Sequence, residues 1–185
     1  ERFAASIRVR ATAPAFVAWA LLEEREGNLV EAVNLFEQAL LTDPLHGAAY
    51  NAYGMMEARR GELDRARKVY ERGLEINASA SVWHGYGQLE LKLGRNPNRA
   101  RELFRSGVSQ TREDTAFIWH SWGMLELGCQ NAVAARQVFQ DALKRYPRNS
   151  RVLVGAALAH ASSCPESPAQ EDIARDFFKR AVAAD

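Results

Sequence analysis

Residues 81–107 read SVWHGYGQLELKLGRNPNRARELFRSG, and their spacing decides the fold. Trp83, Tyr86, Gly87 and Glu90 stand at i, i+3, i+4 and i+7. That spacing places them on one stripe of a helix over residues 82–93. Gly94 is expected to stop this helix. A second helix follows, with Ala100, Leu103, Phe104, Gly107 and Val108 on its apolar face. A short turn joins the two into an antiparallel hairpin. Neither helix can bury its stripe alone, so the unit needs neighbours.

The neighbours are the same unit written again. Trp83/Tyr86 returns as Phe16/Trp19, Tyr50/Tyr53 and Trp119/Trp122. A small residue follows the second aromatic at Ala20, Gly54, Gly87 and Gly123, and an acid three residues later at Glu23, Glu57, Glu90 and Glu126. The helix-stopping glycine is Gly27, Gly61 and Gly94, with Gln130 departing from the pattern. The second helix repeats Ala32, Ala66, Ala100 and Ala135, and four residues on come Phe36, Tyr70, Phe104 and Phe139. The steps between those alanines are 34, 34 and 35 residues. A fixed period of this length predicts a helical solenoid.

The expected architecture is therefore all-α, a right-handed α-solenoid forming a single repeat domain over 1–185. Its repeats lie at about 14–44, 46–78, 80–112, 114–147 and 149–185. Residues 1–12 read as the last helix of a preceding repeat. Helices are expected at 15–26 and 30–42, with Pro14 in a first turn where a missing N–H costs little. The fifth repeat is degenerate, with Leu153 and Ala156 in place of the aromatics and His160 in place of the acid. Its turn, SSCPESPAQ, holds Pro165 and Pro168, both expected to keep it out of a helix. A helix over 170–183 then restores the pattern at Ala174, Phe178 and Ala181. Phe177, Phe178 and Val182 leave that helix apolar. Together with the missing initiating methionine, this predicts a piece of a longer array.

Composition narrows the function classes. A quarter of the 185 residues are charged and the net charge is +1, which argues against a surface coated with nucleic acid throughout. The charge is uneven, however. Residues 58–112 hold twelve Lys/Arg against six Asp/Glu, and the rest hold twelve against seventeen. Such asymmetry supports a local polyanion site, or the solvated face of ordinary helices. No run approaches the ~20 apolar residues of a membrane helix. Cys129 and Cys164 form neither a disulfide framework nor a metal spacing. There is no Gly-rich phosphate loop, no HExxH and no nucleophile elbow, so no enzyme and no cofactor are expected. His84 and His120 lack a Cys or acid at ligand spacing, so no metal is expected either.

The alternation W-x-x-Y-G/A-x-x-E-x-x-x-G, followed by A-R-x-x-F/Y-x-x-G/A-L, resembles the half-a-TPR (HAT) repeat over nearly the whole chain. An ordinary tetratricopeptide repeat has tyrosine where this chain has Glu23, Glu57, Glu90 and Glu126. The HAT family has an acid there and an Ala-Arg pair opening the second helix. That pair stands at Ala66-Arg67, Ala100-Arg101, Ala135-Arg136 and Ala174-Arg175, while the first repeat has Ala32-Val33. Pro44 and Pro147 are more TPR-like. The resemblance implies RNA processing. Phrases such as WGMLELGCQNAVAARQVFQDALKRYP look most like chloroplast HAT proteins that stabilise photosystem II messenger RNAs. Those bind near the 5′ end, block exonucleases and keep the ribosome-binding region open. The competing resemblance is to nuclear HAT proteins of splicing and 3′-end formation, whose arrays act as protein scaffolds and dimerisers.

Most of the prominent residues read as structural. Trp19, Tyr53, Trp83, Tyr86, Trp119 and Trp122 lie on the stripe that must be buried. Glu57, Glu90 and Glu126 occupy one repeated position, unlike a general acid/base pair, whose two carboxyls need different environments. They are read as ion pairs with Arg67, Arg101 and Arg136 inside each repeat. The candidate site is the concave side, lined by the first helix of each repeat. One residue after the first aromatic come Val17, Asn51, His84 and His120, and nine after it Arg25, Arg59, Lys92 and Gly128. The cations would neutralise phosphates, and Asn51, His84 and His120 would read or stack on bases. Single-stranded RNA is the expected partner. A peptide groove, self-association through the terminal repeats, or a merely solvated face fits the same residues. The expected compartment is the chloroplast, with the nucleus as the alternative.

Overall fold

A computed structural model describes residues 12–162 and 168–184, and these described residues form ten helices. The helix expected before residue 12 and Pro165 of the expected turn lie outside the described residues. The chain divides between Arg95 and Asn96 into two compact units, a boundary inside the turn of the third repeat.

The first unit holds α1 (Ala13–Glu26), α2 (Leu29–Thr42), α3 (Gly47–Arg59), α4 (Leu63–Ile76) and α5 (Ala80–Lys92). Helices α1 and α2 form one TPR-like hairpin and α3 and α4 the next, and α5 packs on both α3 and α4. The first helices α1, α3 and α5 thus lie side by side. Tyr70 of α4 is fully buried between Gly54 of α3 and Gly85 of α5, and a Cβ at either glycine would strike its ring. Stacked rings fasten successive repeats, Phe36 on Tyr53 at 5.3 Å and Tyr70 on Tyr86 at 5.4 Å between centroids.

The second unit holds α6 (Pro97–Gln110), α7 (Ala116–Gly128), α8 (Ala132–Arg145), α9 (Ser150–Ala161) and α10 (Pro168–Val182). Its hairpins are α7–α8 and α9–α10, with α6 on α7 and α8 on α9. Phe139 repeats the device of Tyr70, lying between Gly123 of α7 and Gly155 of α9. Asn96, Asn131 and Asn149 cap α6, α8 and α9, each side chain accepting the backbone N–H three residues on. Pro168 corrects the expectation made of it. It opens α10 as the first helical residue, where its missing N–H is one that a helix leaves unused anyway.

The turns correct a second expectation. The left-handed position that ends a first helix is Gly27 (φ 82°), Gly61 (φ 84°), Arg95 (φ 49°) and Gln130 (φ 58°). Gly94 stands one residue too early for it. Its own role is close approach, since a Cβ there would meet the Glu90 carboxylate. Gln130 holds the left-handed conformation despite its side chain, a cost of about 1–2 kcal/mol. Gln130→Gly is therefore expected to raise the unfolding free energy by up to about 1 kcal/mol. Part of the gain is lost because glycine loosens the unfolded chain. Urea titration checks this, and an unchanged or lower midpoint contradicts it.

Candidate functional site

The acids of the repeat are buried: Glu57 and Glu90 are 2% exposed and Glu126 is 3% exposed. A charge taken out of water needs a charged, hydrogen-bonded partner. The partner comes from the repeat before. Arg67 of α4 donates from Nε to Glu90 Oε1 at 2.7 Å and from Nη2 to Oε2 at 3.2 Å. Arg101 of α6 donates from Nε to Glu126 Oε1 at 2.7 Å. These carboxylates raise the pKa of both guanidinium groups above the ordinary arginine value, chiefly through the hydrogen bonds. The pairing therefore crosses repeats, where the sequence suggested pairs within a repeat.

The offset explains both departures from the pattern. The arginine that should reach Glu57 is replaced by Val33, and Glu57 is held instead by Arg60, just past the end of α3, at 3.0 Å. Glu23 accepts from Trp19 Nε1 at 2.8 Å and Asn28 Nδ2 at 2.7 Å, and these bonds hold its pKa below the usual glutamate value. At the other end, Arg136 is left facing His160 and finds no carboxylate among the described residues.

The aromatic row divides by reach. Tyr53, Trp83 and Tyr86 are buried, whereas Trp19, Trp119 and Trp122 are half-buried. Trp122 donates from Nε1 to Glu126 at 3.1 Å and carries the Arg105 guanidinium 5.6 Å above its ring. Tyr86 Oη donates to Glu71 at 3.0 Å, and burial together with Glu37 and Glu57 pushes the Tyr53 hydroxyl up to about 12. The indole nitrogens of Trp83 and Trp119 are buried with no hydrogen-bond partner among the described residues.

The polar row on the first helices is partly committed to structure. Asn51 Oδ1 accepts from Tyr70 Oη at 3.0 Å and lies against Gly85. His84 Nε2 is 3.4 Å from Gln88 Nε2. His120, in the second unit, is half-buried with its ring edge-on to Phe139. Burial first, and then the charge of Arg151, hold it below the ordinary histidine pKa. Among the expected cations, Arg25 and Lys92 are exposed and carry no carboxylate partner among the described residues. Arg59 is different. It forks onto Glu24 of α1, Nε to Oε1 at 2.8 Å and Nη2 to Oε2 at 2.7 Å, and so ties α3 to α1. Arg72 ties α4 to α2 in the same way, through Glu37 at 2.9 Å.

Sequence reasoning missed three elements here. The cross-repeat offset could have been suspected from Val33 standing one helix before Glu57, with Arg60 beside that acid. A second small-residue row, Gly85 and Gly155, sits two residues after the first aromatic position and was visible in the period. A cavity of about 510 Å³ beside Arg136 and His160 had no signal beyond the replaced acid. Among the described residues, no group of three or more His, Cys, Asp and Glu could hold a metal ion. No described helix is long and apolar enough to cross a membrane.

Comparison with known proteins agrees with this geometry. The tetratricopeptide repeat family profile matches residues 17–81. The chain is 33% identical over 147 residues to the pre-mRNA-splicing factor CLF1 of Yarrowia lipolytica, covering 78% of this chain and 22% of that protein. It is 35% identical over 186 residues to the pre-mRNA-splicing factor cwf4 of Schizosaccharomyces pombe, covering 91% and 26%. It is also 35% identical over 133 residues to the chloroplastic PsbB mRNA maturation factor Mbb1 of Chlamydomonas reinhardtii, covering 49% and 20%. The chain thus spans about a quarter or less of these relatives' lengths. The crystal structure of MamA superposes with a TM-score of 0.62 at 14% identity, covering 93% of this chain and 91% of that one, a likeness of fold alone.

Proposed function

We propose that this chain, whose TPR/HAT-like helical repeats relate it to factors of splicing and of chloroplast mRNA maturation, binds single-stranded RNA on the face formed by α1, α3 and α5 and acts in messenger-RNA maturation in the chloroplast. Its mechanism is steric: bound protein blocks an exonuclease near the 5′ end and keeps the covered RNA unpaired for processing or translation. The observation that carries this reading is the pair of exposed cations on that face, Arg25 and Lys92, neither neutralised by a carboxylate among the described residues. His84 lies between them in sequence and offers a ring to an unstacked base. His120 would offer the same as a neutral ring.

Salt titration tests it. Each phosphate contact contributes a slope of about −0.7 on single strands, so Arg25→Ala with Lys92→Ala should flatten the slope by about 1.4. The melting temperature should stay within about a degree, because surface positions away from special features cost under about 0.5 kcal/mol. An unchanged slope with unchanged affinity removes this face as the RNA site.

A second reading rests on a different observation. The Arg59–Glu24 fork neutralises the middle cation of the row, which suits a scaffold for a protein partner, in the nucleus, better than a phosphate track. On that reading the wild type binds RNA weakly, without sequence preference. A stoichiometric protein complex or a dimer is recovered instead.

A further inference from the structure

Among the described residues, the lattice of arginines and acids runs out of acids in the last repeat. Arg67 meets Glu90 and Arg101 meets Glu126, each at 2.7 Å. The next arginine on the lattice is Arg136 of α8, and the residue opposite it on α9 is His160. The histidine is occupied elsewhere. Its Nδ1 donates to Gln170 Oε1 at 2.7 Å, and its ring lies 5.6 Å from that of Phe177. Among the described residues Arg136 is left with one long contact, from Nη1 to the same Gln170 oxygen at 3.5 Å. Beside it opens the cavity of about 510 Å³, with Leu143, Ile173 and Phe177 on its apolar side. The carboxylates of Glu171 and Asp172 on α10 are already held by Arg175.

We propose that this cavity receives an acidic side chain from a protein partner, whose carboxylate takes the seat beside Arg136 that Glu90 and Glu126 fill beside Arg67 and Arg101. The guanidinium has donors to spare in a fork that matches a carboxylate. The apolar wall suits the methylenes of a glutamate and a neighbouring apolar residue. The size lies in the range of pockets that take small ligands. A phosphodiester track would require several cations in a row, and among the described residues lining this cavity Arg136 is the one arginine. The site lies on α8, α9 and α10 and shares no residue with the proposed RNA face of the first unit, so either can fail without the other.

The probe is the blocked tripeptide acetyl-Leu-Glu-Phe-amide, with its Gln analogue as control. Binding to the 185-residue chain and its variants is followed by isothermal titration calorimetry, and in the wild type also by the NMR signal of Arg136 Nε–H. The Glu peptide is expected to bind at least about tenfold more tightly than the Gln peptide, the size of a charge-assisted hydrogen bond. H160E should supply the missing acid in cis, raise the melting temperature and weaken the Glu peptide at least tenfold. R136Q should abolish the preference for Glu over Gln. Equal binding of the two peptides overturns the proposal, as does undiminished binding by an H160E variant that melts higher. A ten-nucleotide polyuridine that shifts the Arg136 signal at lower concentration than the Glu peptide overturns the ligand class.

Discussion

Phe139→Ala is expected to cost about 3–5 kcal/mol of unfolding free energy, the range for buried aromatics cut back to alanine. Phe139 is fully buried, and Ala135, Ala142, Val152 and Ala156 belong to the same core cluster. Its ring fills the space between α7 and α9 that Gly123 and Gly155 leave by having no side chain. Truncation therefore removes the apolar burial and leaves a void that neither glycine can fill. The flanking helices cannot close on it without shearing α8 from its neighbours. Phe139→Leu keeps most of the volume and should cost roughly half as much. Gly155→Ala tests the same contact from the other side, since the new Cβ must push into the ring, and overpacking of this kind costs about 1–3 kcal/mol. Urea unfolding followed by circular dichroism gives the values. A loss below about 1 kcal/mol for Phe139→Ala would mean that the ring does not bridge the three helices.

Arg67→Ala should cost about 3 kcal/mol. Glu90 stays buried after the substitution, and the cation that held both its oxygens is gone. An ion pair broken from one side costs about 3–5 kcal/mol where burial is complete. The Arg67 side chain is 34% exposed, so water enters the vacated space and the lower end applies. Arg67→Lys should recover part of the loss, because lysine restores the charge without the fork. Arg67→Met with Glu90→Met should recover most of it, since apolar replacement of the whole pair is often neutral or better. The measurement is the midpoint of thermal and urea unfolding across the four variants. If the double variant falls as far as Arg67→Ala, the cost comes from lost packing of the arginine stem and the stranded-charge account is wrong.

The sequence by itself determined the all-helical hairpin repeat. A 34–35-residue period, aromatics three apart and alanines at the crossing points are local patterns, each satisfied within a helix or a turn. They placed α1, α2 and α5 to within two residues of their observed ends. They misjudged Pro168 because a proline reads equally as a helix stop or a helix start until the chain after it is known to be helical. They placed the left-handed position on Gly94 because residue type, and not conformation, is what a sequence displays. The lattice puts Arg95 there.

Only the tertiary structure decided which groups meet. A periodic chain looks the same after a shift of one repeat, so Arg67 could be assigned to Glu57 or to Glu90 with equal regularity. Packing α5 against α3 and α4 breaks that equivalence and carries Arg67 onto Glu90. The same shift turns Arg59 from an expected free cation into the partner of Glu24. It also strands Arg136 opposite a histidine, with a cavity beside it. Charge partners follow from the offset between neighbouring hairpins, and that offset is set by how rings such as Tyr70 and Phe139 seat between glycines on adjacent helices.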